Sequence, residues 1–306
     1  MEPLNTNQEL RQLANLELLA RQVVEGFITG LHQSPFHGFS VEFAEHRAYN
    51  SGSSIKNIDW KLFARTDKLF VKQFEEETNL RCYLLLDTSS SMNYPEKGMS
   101  KLLYSVYAMA SLMYLFKKQR DAFALGLFTD KIDWLSQARS TSTHLFYLFG
   151  QLENAYQEPR TKAFTDLSNV IHHLAEEVHQ RSLIIIFSDM LENSMDAARS
   201  QALFAALQHL RYNKHEVIVF NVNDRLHELE FGFDNRPHQF IDMESGEEVK
   251  VHPGRVRESY RAAIDSYRHD LELKCAQYQV DLVDADINNG YNDLLKAYLV
   301  KRNKVI

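Results

Sequence analysis

Cysteine, proline, glycine and tryptophan are all scarce in this chain of 306 residues, at two, six, eleven and two. Two isolated cysteines, Cys82 and Cys275, with no CxxC spacing, argue against a disulfide framework or a zinc ribbon. Each lies in an apolar or helical stretch, so a reducing setting is expected. No internal repeat and no low-complexity linker occurs. Positive charge is in short supply: 34 Lys and Arg face 41 Asp and Glu, a net charge of −7. That balance argues against a general nucleic-acid binder, which needs a basic face. Long hydrophobic runs are missing as well. No window of about 20 apolar residues could span a membrane, and the polar stretch Met1 to Gln12 has no secretory apolar core. A cytoplasmic location is therefore expected. The longest apolar stretch, Leu102 to Phe116, is interrupted by Tyr and Ser and predicts a buried helix. The chemical motifs GxxxxGK[ST], GxSxG and HExxH are absent, as is a GxGxxG after the first apolar strand. Nucleotide hydrolysis and α/β-hydrolase chemistry therefore lack their usual residues.

What is present is an ordinary globular composition, 44% hydrophobic and 25% charged, sufficient for a sizeable core. Up to about residue 79 the pattern is mixed. Leu13 to Leu31 has helical spacing, a loop-rich run from His32 to Ser54 follows, and short strands are predicted at Phe39–Glu42 and Leu69–Phe74. From Arg81 strands and helices alternate. Strands are predicted at Cys82–Leu86, Ala122–Phe128, Leu183–Phe187, Val217–Val222 and Val280–Val283. Helices are predicted at Lys101–Lys118, Thr143–Leu152, Leu167–His179, Met195–Tyr212, Val256–Tyr278 and Tyr291–Val300. Ile132–Leu135 is a hairpin partner for the second strand, and Phe240–Val251 a hairpin turning at Ser245-Gly246. Such alternation predicts an α/β fold: a doubly wound, mostly parallel sheet covered on both faces. The predicted division is an N-terminal helix and hairpin appendage, residues 1–79, and a main domain, residues 80–306.

Ligands of such sheets bind where strands end at their carboxyl edges. Three predicted loops carry hard oxygen donors at that edge: Asp87-Thr88-Ser89-Ser90-Ser91 after the first main strand, Phe164-Thr165-Asp166 before a helix, and Ser188-Asp189 after the most apolar strand. Carboxylates with hydroxyls at alternate positions suit Mg2+ or Mn2+, which take oxygen ligands in near-octahedral geometry and keep positions open. An acidic residue of a partner could complete the sphere. Asp and Ser after strands are also good turn and cap residues, and Asp166 competes with Thr165 as donor in its loop.

The order Asp-x-Ser-x-Ser, then Thr, then Asp resembles the metal-ion-dependent adhesion site of von Willebrand factor A domains. That resemblance implies a Rossmann-like fold of the same type. It also implies direct coordination by Ser89 and Ser91, with Asp87, Thr165 and Asp189 binding directly or through water. A second resemblance covers about residues 20–220. Gly38-Phe39-Ser40 through Phe43, His46-Arg47-Ala48-Tyr49, Ile58-Asp59-Trp60, Ala64-Arg65 and Phe74-Glu75 look like the signature of the bacterial "domain of unknown function 58" family. The chain departs at Gly52-Ser53-Ser54, where that family usually carries an acidic Gly-Asp-Asp. The resemblance implies a MoxR-type AAA ATPase as partner, and roles in complex assembly or chaperone-like regulation. Trp60 is expected to pin the appendage, with Arg65 pairing to Asp59 or Glu75; direct partner contact is the alternative.

The sequence thus points to a non-enzymatic adaptor that grips an ATPase or a client through a bound divalent cation. Two alternatives stand beside it. One is a Mg-dependent phosphohydrolase using Asp87 and Asp189. Against it, the usual second Asp is replaced by Ser89, and no basic residue in these loops converges to hold phosphate. The other is a structural subunit with an empty site. His172, His173 and His179 share a helix with Glu176 and Glu177 but lack metal-protease spacing, and are expected on a solvated face.

Overall fold

The computed structural model describes residues 15–27, 46–48, 65, 70–72, 80–160, 163–190 and 197–303. Contacts divide the chain into two units, Thr29–Asn79 and the combination of Met1–Ile28 with Leu80–Ile306. Helix α1, residues 15–27, buries Leu16, Ala20, Val24 and Phe27. Their spacing of four, four and three is one helix face. That apolar stripe is covered, and by contacts α1 groups with the large unit.

In the smaller unit, β1 (His46–Ala48) pairs antiparallel with β2 (Phe70–Lys72), Arg47 opposite Val71. β2 matches the predicted strand Leu69–Phe74; β1 carries no alternation that would have announced it. Of the family-like positions, Gly52-Ser54, Asp59, Trp60, Ala64 and Glu75 lie outside the described residues, as does the predicted strand Phe39–Glu42. Arg65 is exposed.

The large unit is built on β3 (Arg81–Asp87), β4 (Ala122–Phe128), β5 (Ile132–Leu135), β6 (Leu183–Ser188), β7 (Glu216–Asn223) and β10 (Asp281–Asp286). Their order is β10-β7-β6-β3-β4-β5, with only the edge strand β5 antiparallel. Continuous apolar runs make β3, β6 and β7 central strands: Leu84–Leu86, Leu183–Phe187 and Val217–Phe220 are buried on both faces. The hairpin β8 (His238–Ile241) and β9 (Glu248–Val251) stands apart as its own two-stranded sheet. Its turn carries Gly246 at φ +77, a conformation that glycine adopts without steric cost.

Helices cover both faces. Helix α2 (Lys101–Lys118) buries thirteen of its residues, so it is interior and not amphipathic. α3 (Ser142–Gln157) packs beside it. On the other face α4 (Leu167–Glu177), α5 (Ala197–Tyr212) and α6 (Pro253–Gln277) share a core with Ile184, Ile186, Val217 and Val219. α7 (Asn292–Asn303) brings Tyr298 against Phe116 of α2 at 5.0 Å between ring centroids. Removing a core side chain such as Ile186 would cost about 2–5 kcal/mol. Cys82 and Cys275 are both buried, and burial pushes the Cys275 thiol up to about 12. No helix among the described residues is long and apolar enough to cross a membrane.

The topology fixes where a ligand can sit. From β3 the chain moves outward to β4 and β5, then returns to β6 and continues to β7 and β10 on the opposite side. The two directions part between β3 and β6, and a crevice at such a reversal is where open α/β sheets bind ligands. Register places Leu86 beside Phe187 and Asp87 beside Phe128, so Asp87 and Ser188 end their strands, and Thr129 follows β4, at one rim.

Candidate metal centre at the sheet edge

Asp87 ends β3 and is fully buried. Its Oδ1 accepts from the Ser89 amide at 2.9 Å, a turn in which the aspartate bonds the backbone two residues on. Its Oδ2 accepts from the Ser188 hydroxyl at 2.7 Å. The Thr165 hydroxyl lies 3.3 Å from both oxygens. The Ser89 and Ser91 hydroxyls are 3.1 Å apart. Ser89 is buried and Ser91 half-buried, so the cluster opens toward solvent on the Ser91 side.

The serine between them has a different task. The Ser90 hydroxyl accepts from the Ala163 amide at 2.8 Å, and its own amide donates to the Ala163 carbonyl at 3.2 Å. Ser90 thereby fastens the β3 loop to the segment that carries Thr165. Thr88 donates to the Phe128 carbonyl through both its amide and its hydroxyl. Asp166 caps α4: its Oδ1 accepts from the Asn169 amide and the Ser168 hydroxyl. That carboxylate is committed to the helix start, leaving Thr165 as the donor aimed at Asp87.

Asp189 follows β6 and is buried. Its Oδ2 accepts from the Lys101 ammonium at 2.7 Å, and the same ammonium reaches Glu228 Oε1 at 2.6 Å. The three loops themselves supply no basic residue, but one from elsewhere in the chain reaches the site. Lys101 comes from the first turn of α2, outside the three loops, and tertiary packing turns it inward. Both of its carboxylate partners already occupy it, so it is not free to hold a phosphate. The next residue, Met190, is buried with φ +56, left-handed backbone for a bulky side chain, and its carbonyl accepts from Tyr267 at 2.7 Å.

The family described as "Protein of unknown function DUF58" matches residues 45–270. This chain belongs to that family. Among similar proteins, the uncharacterized protein Rv1480 of Mycobacterium tuberculosis is 25% identical over 261 residues, covering 85% of this chain and 78% of that protein. A corresponding uncharacterized protein of Mycobacterium bovis, Mb1516, matches to the same extent. Among solved structures, an aerotolerance-related membrane protein from Bacteroides fragilis is 15% identical with a TM-score of 0.46, covering 74% of this chain and 99% of that one. BatB from Bacteroides thetaiotaomicron is 13% identical with a TM-score of 0.44 over the same shares. Fold likeness at this level carries no function with it.

The electrostatics of this DUF58 site follow from its burial. Burial first, and then the charge of Asp189, push the Asp87 carboxyl up to about 6, against the opposing bonds from Ser188 and Ser89. Burial also raises Glu228, partly offset by Lys101. For Lys101 burial disfavours the charge, but Asp189 and Glu228 more than compensate and its pKa is raised. Among the described residues no lysine, arginine or histidine pairs with Asp87, and no three His, Cys, Asp or Glu side chains form a metal-binding group by themselves. A metal here would depend on hydroxyls. One dry carboxylate without a cationic partner, three hydroxyls and a nearby second carboxylate form a hard oxygen set, which fits Mg2+ or Mn2+ and not a soft metal. A cation would also offset the repulsion that raises Asp87. Lys101, Glu228 and Ser188 are the additions the structure makes to the predicted set of Asp87, Ser89, Ser91, Thr165 and Asp189.

Proposed function

We propose that this DUF58 protein is a binding module that holds Mg2+ or Mn2+ at Asp87, Ser89, Ser91, Thr165 and Asp189, in the manner of a von Willebrand factor A adhesion site, and uses the ion to grip an acidic side chain of a protein partner. The observation that carries this reading is the buried Asp87 carboxylate, met by hydroxyls from two other chain segments, Thr165 and Ser188, beside the Ser89–Ser91 pair. Ser91, on the open side, marks where a partner carboxylate would enter. The hydroxyl donors leave the ion electrophilic, because only the carboxylates offset its charge. The bound ion would supply Lewis-acid attraction for a partner's oxygen, while the protein supplies the fixed ligand geometry. The resemblance stated for the sequence makes a MoxR-type AAA ATPase the first partner to test. A phosphohydrolase is less well supported: Ser89 occupies the position of a second catalytic acid, and Lys101 is bound to Asp189 and Glu228.

The test is capture of a purified MoxR-type ATPase from the same source by the full chain. Capture is expected with Mg2+ or Mn2+ and should fall at least about tenfold with EDTA or in Ser89→Ala/Ser91→Ala, the loss of roughly 1.4 kcal/mol or more. Capture that ignores both chelation and the double substitution contradicts the ion-bridged mechanism. Turnover of phosphoesters with Mg2+, lost in Asp87→Asn, would favour the enzyme instead.

A further inference from the structure

Lys101 is placed where neither helix stability nor solvation explains it. It is the first residue of α2, where the positive end of the helix dipole disfavours a cation. Only 1% of it is exposed. Its amide donates to the Tyr94 carbonyl at 2.9 Å, and Ser100 caps the helix by accepting from the Leu103 amide at 3.1 Å. The backbone at this point is thus fixed, and the side chain runs inward. Its ammonium has two acceptors of different kinds. Asp189 belongs to the proposed oxygen donors; Glu228 does not. Glu228 is held in place by its Oε2, which accepts from the Asp224 amide at 2.8 Å. Its backbone carbonyl accepts from Tyr260 at 2.8 Å.

We propose that Lys101 is an internal counter-cation of this site: its ammonium occupies one oxygen of Asp189 and keeps divalent-ion affinity low, and Glu228 retains the ammonium when an ion takes Asp189. The inference rests on the cation reading above. A fixed positive charge and a divalent ion sharing one carboxylate repel strongly in a dry site, because little water screens them. Glu228 offers the ammonium a second anionic partner already in contact, so the exchange leaves no buried charge unpaired. Removing the lysine should therefore tighten ion binding, and removing Glu228, which leaves Lys101 to Asp189 alone, should weaken it. A purely structural triad predicts no such opposition of sign.

The experiment is Mn2+ binding by the full chain, read as free Mn2+ by electron paramagnetic resonance, with folding checked by circular dichroism. The chains are wild type, Glu228→Gln, Lys101→Met/Glu228→Gln and Ser89→Ala/Ser91→Ala. Glu228→Gln should bind at least about tenfold more weakly than wild type, and the Lys101→Met double variant at least about tenfold more tightly than Glu228→Gln. A double variant no tighter than Glu228→Gln overturns the inference. Should the double variant fail to fold, Glu228→Gln decides alone: binding equal to or tighter than wild type overturns it. Uptake that survives loss of both serines, or no uptake by any chain, overturns the cation reading together with this inference. Uptake that needs both serines but does not follow the predicted order overturns the inference alone.

Discussion

At Asp87 a folded-state pKa of about 6 stands above an ordinary value of 3.8. The fold thus prefers the protonated carboxyl. The stabilising contribution is present below the ordinary value and is lost as pH rises through about 6. Without a cation, Asp87→Asn should therefore raise the unfolding free energy at pH 8 and change it little at pH 4. The gap of about two pH units sets an upper bound of roughly 3 kcal/mol, measurable by urea unfolding in chelator at both pH values. Ion binding runs the other way: a cation needs the carboxylate, so Mn2+ affinity should fall as pH drops below about 6. An affinity flat from pH 8 to pH 5 would remove Asp87 from the ligands. The placement of Asp87, Ser89, Ser91, Thr165 and Asp189 after strands or at a helix start was legible in the sequence, because the apolar strands before them and the helix pattern after Thr165 are strong. Lys101 was not, since a lysine at a helix start reads as solvated, and only packing turns it inward. Glu228 was equally hidden, lying in an irregular helical turn, residues Arg225–Leu229, with no apolar period to place it.

Among the elements, the scarcity of glycine leaves a physical trace. Helices α2, α5 and α6 are each followed by a left-handed residue that is not glycine: Arg120 at φ 61, Lys214 at φ 63 and Gln279 at φ 56. All three are exposed. Left-handed backbone costs such residues about 1–2 kcal/mol relative to the right-handed form. Lys214→Gly and Arg120→Gly should each raise stability by up to about 1 kcal/mol, seen as a higher melting temperature. A decrease would mean that side-chain contacts outweigh the backbone cost. The loop of Ser90 gives the opposite kind of prediction. Ser90→Ala removes the Ala163 bond, costs about 1–2 kcal/mol, and should weaken Mn2+ binding although Ser90 is no ligand. Element types and most boundaries were legible because β3, β6 and β7 are short continuous apolar runs and the helices between them are much longer. Strand β1 was not: three residues, His46–Ala48, carry no alternation that distinguishes them from a loop.

For the whole molecule, the doubly wound sheet does one thing that no single element could. It ends β3 and β6 side by side, so that residues about a hundred positions apart, Asp87 and Ser188, share a hydrogen bond. That topology was predictable from strand–helix alternation; the grouping of α1 with the large unit was not, because its apolar face shows only that something covers it. A cation bound only by the folded chain must stabilise it by mass action, about 2.7 kcal/mol at a hundredfold excess over the dissociation constant, and calorimetric melting with and without Mn2+ measures that gain. The most direct test is a crystal grown with Mn2+ and read by anomalous scattering at the manganese edge. The account predicts one peak within coordinating distance of the Ser89 and Ser91 hydroxyls, bounded by Asp87, Thr165 and Asp189. A manganese peak elsewhere with these oxygens still bonded only to one another, or no peak at saturating Mn2+, would contradict it.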